Sequence, residues 1–501
     1  MNLSDNKIWQ KRTIWLIILT AILRFVLLFK FGLTPQESYY WNFARHLSLG
    51  YFDHPSAMPW TIWLTTNLLG TNIIGIRFGA WLYGLGALIF IYLISRKFWN
   101  HKITFWVIFA TISVPLFNTA GIFFTPDPPL IFFWLGTTYF IIQAIERRHW
   151  KYWILTGLFG GLAMLSKYTA VFWFISAFLF LLLHSDGRKY FRTPKPYIAV
   201  LVALVAFSPE IIWNAQNDWA SFAYQSTRRA NEMRTLRIDY FLGYLGAQLF
   251  AISPVLYLGA IVTMFSSAIK CIREKWKKIS FRATETVNLV LFSFSLPMLL
   301  FFSAVGLVYW VKLNWLIPIY FIPIAGFVAN SIHNRKKWHI WGTSIAMITT
   351  ITITIVMLFP IVPITGELAS TFGWKTLAEY VNSKLDTMPS NTFIFGGEYK
   401  VPSELSFHLP NHPQTAGPNV IGRPGLQYTY WVNVDTLIGR DAIFVIDPRW
   451  GFGYEHGERL VEKYFREVNK CDELEILRAG TKLTTFHIYE CHHYKGTERE
   501  Q

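Results

Sequence analysis

The sequence predicts a polytopic α-helical membrane protein that ends in a small α/β domain, and three observations carry that expectation. Of 501 residues, 53% are hydrophobic and only 15% are charged, whereas a soluble domain carries about 25% charged residues. Apolar runs long enough to cross about 30 Å of hydrocarbon recur through residues 1–360 and then stop. Beyond residue 361 the pattern changes to short β-rich runs at Thr392–Gly396 and Ala442–Asp447, with helical spacing over 374–386 and 456–468. Domains are therefore expected at 1–360, in the membrane, and at 361–501, outside it.

The chain opens with Lys7, Lys11 and Arg12 ahead of an apolar run at 13–31. That run is long for a signal peptide, contains Arg24 and lacks an A-x-A site, so it reads as an uncleaved first helix. Further spans are expected at 73–94, 103–120, 127–145, 152–165, 168–184, 197–213, 240–266, 284–307, 314–332 and 339–360, about eleven in all. Residues 57–70 are apolar but brief and read as an interfacial or re-entrant helix. With eleven spans, the Lys/Arg clusters at the N-terminus, 96–102, 147–151, 188–195, 270–282 and 335–337 all fall on the cytoplasmic side. The 32–72 loop, the 121–127 turn, the 214–239 loop and the tail fall outside. The net charge of +16 is concentrated in the membrane part, while the tail is mildly acidic, which argues for topology control and against nucleic acid. One outer loop breaks the pattern, with Arg228, Arg229, Arg234 and Arg237. These read either as side chains snorkelling to lipid phosphates or as ligands of a phosphate-bearing substrate, since the guanidinium fork binds phosphate bidentately.

The chemistry gathers at the outer face. Between Thr34 and Trp60 lie Glu37 and Asp53, crowded by Tyr39, Tyr40, Trp41, Phe43, Tyr51 and Phe52. Acids in an aromatic-lined interfacial loop suit sugar transfer, where one takes a proton from an acceptor hydroxyl and nearby cations offset a phosphate leaving group. Asp127, in FFTPDPPLIFFW, is a third acid; its plainer reading is a first-turn carboxylate facing the helix dipole, with Pro128 after it. His54 reads as a loop hydrogen-bond partner or, less simply, a metal ligand. Lys167 in LSKYTA and Lys312 in YWVKLNW sit at outer breaks between spans and are candidates to offset a lipid-phosphate charge. Glu210, near the end of the seventh span, is costly there unless partnered. Gly157 and Gly161 read as a close helix contact. Cys471 and Cys491 fall in the outer domain and are expected to form a disulfide in an oxidising compartment; Cys271 is cytoplasmic. No His/Cys metal spacing is present.

Five membrane motifs carry a resemblance: PQESYYWNFARHLSLGYFDHP, TPDPPLIFFW, GLAMLSKYTAVF, SPEIIWNAQNDWASF and NWLIPIY. GWKTLAEYV, YKVPSELSFHLP and GRPGLQYTYW extend it through the tail. Together they resemble the bacterial branch of the protein O-mannosyltransferase family, the glycosyltransferase family 39-like group, which is also similar to lipid A aminoarabinose transferase. The resemblance implies a C-type glycosyltransferase fold and an inverting transfer of a hexosyl or pentosyl group. The donor it implies is a polyprenyl-phosphate-sugar, a co-substrate, and the acceptor a cell-envelope lipid A, polysaccharide or protein at the outer face of a bacterial plasma (inner) membrane. No other cofactor is implied, with a divalent metal left open. Glu37 matches the acid of the first-loop D/Q-E pair and Asp127 that of T-P-D-x-P-L; Gln36 replaces the Asp of the pair, and Ser56 a usual Pro. The expected catalytic pair is Glu37 and Asp127, with Asp53 in reserve and Lys167 as cation for the leaving phosphate. Tyr39, Tyr40, His54, Lys312 and the four loop arginines are candidate substrate-binding residues. The alternative is a transporter or flippase of sugars or lipid-linked intermediates, which would show internal repeats and interrupted helices with midplane polar residues; no such repeat is evident.

Overall fold

The structure is a computed structural model that describes residues 3–228, 235–276, 282–359, 362, 364, 366–450 and 457–497. The protein is a multi-pass membrane protein. Six described helices are long and apolar enough to cross a bilayer: Ile73–Phe98, Asp127–Arg147, Lys195–Gln216, Pro254–Arg273, Glu285–Val305 and Trp338–Leu358. A seventh candidate is the pair Leu313–Ile319 and Phe321–His333, bent by 59° at its break. The other stretches expected to span are helical but too short or too charged to qualify by length and composition. They are Leu3–Leu28, with Lys11, Arg12 and Arg24 in it, His101–Ser113, Trp150–Ser166, Tyr168–Leu183 and Ile238–Ile252. The expected 240–266 span is broken at Ser253, whose φ of 98° precedes Pro254. The short apolar stretch after the first loop forms the helix Ala57–Leu69.

The chain divides into two compact units, and the division is not the one expected. The first comprises Met1–Leu28, Leu49–Thr61 and Arg77–Ile353; the second comprises Phe29–Ser48, Ile62–Ile76 and Thr354–Gln501. The last boundary thus falls near 354, and residues 29–76 are divided between the units.

In the first unit the Asp127–Arg147 helix is the innermost, with Leu130, Trp134, Leu135 and Ile141 at 0–1% exposure. Its neighbour Trp150–Ser166 packs tightly on Lys195–Gln216 through two glycines. A Cβ added at Gly157 would lie 2.2 Å from the Ala199 carbonyl oxygen, and one at Gly161 2.4 Å from that of Ala203, so the backbones meet as the small-residue spacing requires. Arg24 is buried and donates to Asn118 Oδ1 (3.0 Å) and the Phe117 carbonyl (3.2 Å), the kind of internal partner an intramembrane cation needs.

The second unit contains a four-stranded sheet of order β1-β2-β4-β3, with β1 (Phe393–Gly396), β2 (Ala442–Ile446), β3 (Phe465–Arg478) and β4 (Thr481–Tyr494). β1 and β2 run parallel; the other pairs are antiparallel. One face buries Phe393, Phe395, Phe444, Phe465 and Tyr494. The other buries Ile394, Ile443, Val445, Phe486 and Ile488 against the helices Trp374–Leu385 and Lys400–His408. The expected helix over 456–468 is only Gly457–Val461 among the described residues, and the strand takes over at Phe465. The β3–β4 hairpin turns on Ala479 (φ 51°) and Gly480 (φ 76°), a two-residue turn with both central residues in the left-handed region. Cys491 stands opposite Val468, and Cys471 falls at the bulge between Lys470 and Asp472. The register therefore does not set the two cysteines opposite each other; the Cys471 side chain lies outside the described residues.

Asp447 and Arg449 form a buried ion pair in this unit (2.7 Å). Thr484 donates to Asp447, while Arg449 also donates to the Ala369 and Phe372 carbonyls. Breaking a buried pair strands the remaining charge at a cost of about 3–5 kcal/mol. Arg449→Ala is expected to lower the thermal unfolding temperature of the detergent-purified protein by several degrees, and an unchanged transition would show that the pair contributes little.

Candidate active site

Asp127 is the first residue of its helix, 3% exposed, with Thr125 Oγ1 near its backbone N–H (3.4 Å). Thr125 Oγ1 also lies 3.3 Å from Oδ2. Lys167 Nζ donates to Oδ1 at 2.7 Å, and Asn314 Nδ2 donates to Oδ2. Lys167 is itself 8% exposed and sits in extended backbone (φ −162°, ψ 136°) at the end of the Trp150–Ser166 helix, where the chain breaks before Tyr168. An ammonium so enclosed is tolerable only with a carboxylate beside it. The break thus turns a residue of an apolar helix pair into a fixed cation.

The next residue uses the other side of the break. Tyr168 donates its hydroxyl to Glu210 Oε1 at 2.6 Å, and Asn214 Nδ2 also reaches that oxygen (3.2 Å). Glu210 is fully buried, and its second oxygen lies where a Cβ on Gly50 would come within 2.8 Å. Only a glycine lets the loop approach so closely. The segment after Gly50 is held to the same region: the Phe52 and Tyr224 ring centroids are 4.7 Å apart, and Gln225 Nε2 donates to the Asp53 carbonyl (2.9 Å). Asp53 is 7% exposed and His54 is half-buried. The first unit therefore brings Asp127, Lys167 and Asn314 into one cluster. It ties the Asp53–His54 segment to the end of the Glu210 helix.

Glu37 belongs to the second unit. It is the third residue of the helix Pro35–Arg45, fully buried, and its Oε2 accepts from Thr34 N (3.0 Å) and lies 3.1 Å from Thr34 Oγ1, while Thr34 caps Glu37 N in return. This is a capping box, which sequence reasoning about the acid did not anticipate. Tyr39 and Tyr40 are buried rather than open to a substrate. Tyr39 packs on Tyr399 and Trp431 at ring distances of 4.5 and 6.0 Å, and its hydroxyl accepts from Gln427 N. Arg45 donates to Ser406 Oγ and to the His412 carbonyl, both at 2.8 Å. The physical reason is amphipathicity met on two sides: the aromatic side chains of this helix are core of the second unit.

Lys312 is exposed, just before the Leu313–Ile319 turn that supplies Asn314. Arg237 forms an exposed bidentate pair with Asp239 (2.7 and 2.9 Å) and covers the Tyr240 ring, so its guanidinium is already engaged. The Arg228 side chain, Arg229 and Arg234 lie outside the described residues. Among the described residues no group of three or more His, Cys, Asp and Glu is placed to hold a metal ion. Asn314 and Tyr168 were missed as site residues, although both stand inside motifs that mark the resemblance, NWLIPIY and LSKYTA.

Residues 53–213, which carry Asp53, His54, Asp127, Lys167 and Glu210, match the family model of dolichyl-phosphate-mannose-protein mannosyltransferases. The lipid A galacturonosyltransferase RgtD of Rhizobium johnstonii is 28% identical over 255 residues, covering 50% of this chain and 53% of that protein. An undecaprenyl phosphate-alpha-4-amino-4-deoxy-L-arabinose arabinosyl transferase of Wigglesworthia glossinidia brevipalpis is 27% identical over 154 residues, 28% of this chain and 27% of that one. The matches thus span about half the length of the first of these relatives and a quarter of the second. In structure, ArnT of Cupriavidus metallidurans bound to undecaprenyl phosphate superposes with a TM-score of 0.59 at 15% identity, over 95% of this chain and 97% of that one. The chain therefore has the fold of ArnT, and it resembles the glycosyltransferase family 39-like, lipid A aminoarabinose transferase-like proteins.

Proposed function

We propose that the protein is a membrane glycosyltransferase that moves a sugar from a polyprenyl-phosphate carrier to a cell-envelope acceptor at the outer face of the plasma membrane. One observation carries the reading: a buried Asp127–Lys167–Asn314 cluster at a helix break, within the stretch that matches the mannosyltransferase model. An enclosed ammonium held by one carboxylate is a site for a phosphate, to which Lys binds as a point charge. That relatives in sequence are named transferases, and that ArnT binds undecaprenyl phosphate, supports this class over a transporter. Lipid A is the favoured acceptor among the three classes, on the similarity to the galacturonosyltransferase.

In the proposed step an acceptor hydroxyl attacks the anomeric carbon, its proton passes to a carboxylate, and the bond to the carrier phosphate breaks. Lys167 offsets the charge left on the phosphate, and Asp127 keeps Lys167 in place. Asp127 is already occupied by Lys167 and Asn314, so the base falls to Glu37, with Asp53 in reserve. Tight enclosure of Glu37 supplies the desolvation a carboxylate base needs, and the acceptor must displace the Thr34 contact to reach it.

General-base loss typically costs about 10²–10⁴ in rate. Glu37→Gln is expected to cut transfer by that order, and Lys167→Ala to raise the KM for a polyprenyl-phosphate-sugar while the protein still accumulates in membranes. Wild-type kinetics in both variants would remove this site. Mass analysis of lipid A with and without the gene should show loss of a single glycosyl mass; unchanged lipid A would move the acceptor to polysaccharide or protein. The proposed orientation places residues 335–337 inside and the tail outside, so reporter fusions after Asn334 and after Gly373 should read opposite sides; the same side for both would overturn it.

A further inference from the structure

The helix Leu3–Leu28 has two faces. Thr13, Thr20 and Arg24 are buried and mark the side turned to the bundle. On another side Ile8, Arg12, Trp15 and Leu19 recur at helical spacing and stay open. With Phe105 of the helix His101–Ser113 they line a groove of about 610 Å³. The groove has two chemically different ends. At its head the Arg12 guanidinium lies 4.8 Å from the centroid of the Trp9 ring and Lys102 Nζ lies 5.9 Å from it, with the exposed Lys11 next along the helix. The Trp9 ring packs in turn on Phe105 at 5.2 Å. Cations gathered about one indole repel one another, and an anion placed among them relieves that repulsion. Asp5, the acid of the first turn, does not line the groove, and Glu146 is paired with Lys97 instead. Beyond Arg12 the lining is apolar, with Trp15 68% and Leu19 54% exposed. That run covers about 10 Å of helix, and the open Ile22 and Leu23 prolong it. One leaflet is half of about 30 Å of hydrocarbon, so a cationic head followed by such a run matches the layout of a lipid.

We propose that this groove holds one anionic phospholipid in the leaflet next to the N-terminus. Its phosphate lies among Lys11, Arg12 and Lys102, and an acyl chain runs along Trp15 and Leu19. Basic residues beside a membrane helix attract anionic headgroups in general. Here the Trp9 ring gathers two of the cations and two helices supply the walls, so the lipid is held in one place. A lipid seated there bridges the first helix to the helix His101–Ser113 and secures it to the rest of its unit. Its occupancy is independent of which carboxylate serves as the base.

The test is native mass spectrometry with lipid titration of the full-length protein in detergent, using phosphatidylglycerol and phosphatidylcholine as probes. The wild type is expected to retain one phosphatidylglycerol and to bind phosphatidylcholine about ten-fold more weakly or worse. Lys11→Ser combined with Arg12→Ser is expected to raise the apparent Kd for phosphatidylglycerol by about the same factor. Lys336→Ser combined with Lys337→Ser, which removes an exposed basic pair elsewhere in the same unit, is expected to leave that Kd unchanged. Trp9→Leu keeps every charge, and with it the insertion signal, and is expected to weaken phosphatidylglycerol binding too. It decides the matter if the first double variant fails to accumulate. Equal retention of the two lipids, equal losses in the two double variants, or wild-type affinity in Trp9→Leu overturns the site. A dimer that Trp9→Leu dissociates, with no lipid retained, overturns it in favour of a second copy of this chain.

Discussion

The contact between Lys167 and Asp127 is the constraint on which the first unit depends. In an apolar helix bundle neither charge is stable alone, so the two fix one another, and each fixes the element that carries it. Asp127 begins a helix that is almost wholly buried, and Lys167 ends another, so one 2.7 Å contact pins those ends of both. Asn314 brings in a third element, near the start of the Leu313–Ile319 turn. The polar cluster is therefore not laid upon a finished scaffold; it sits where one helix starts, another ends and a third element begins.

Stopping a helix at a charged residue leaves the following residue free to point elsewhere, and the chain uses that freedom. Lys167 and Tyr168 are adjacent but face different partners, Asp127 and Glu210. Through Glu210 the break is coupled to Gly50 and so to the segment carrying Asp53 and His54. A substitution at Tyr168 or Gly50 would disturb the loop without touching any acid in it.

Much of the membrane part could be read from residue patterns because the bilayer imposes its own period. Long apolar runs and the Gly157–Gly161 spacing each translate into structure with little help from distant residues. Glu210 was marked as needing a partner, and it has Tyr168. What could not be read depends on contacts between distant parts of the chain. The aromatic residues of the first loop look like an interfacial belt by composition, yet Tyr39 and Tyr40 are buried, and ring partners of Tyr39 lie 360 or more positions later. The stretch from Phe465 to Tyr494 mixes charges with apolar residues, and its bulge at Lys470–Asp472 breaks the alternation that would announce a strand.

The pairing of Arg45 with Ser406 spans 361 positions, and this has a consequence for how the molecule is made. At about 5–20 residues per second, the first-loop helix emerges from the ribosome roughly 20–70 s before the helix it packs against has been synthesised. Throughout that interval Tyr39 and Trp41 lack the partners they have in the folded protein. The acid of that helix then acquires its final surroundings only when the last domain has folded, so a chain cut short by a nonsense codon or a stalled ribosome carries every membrane motif and still lacks a finished Glu37.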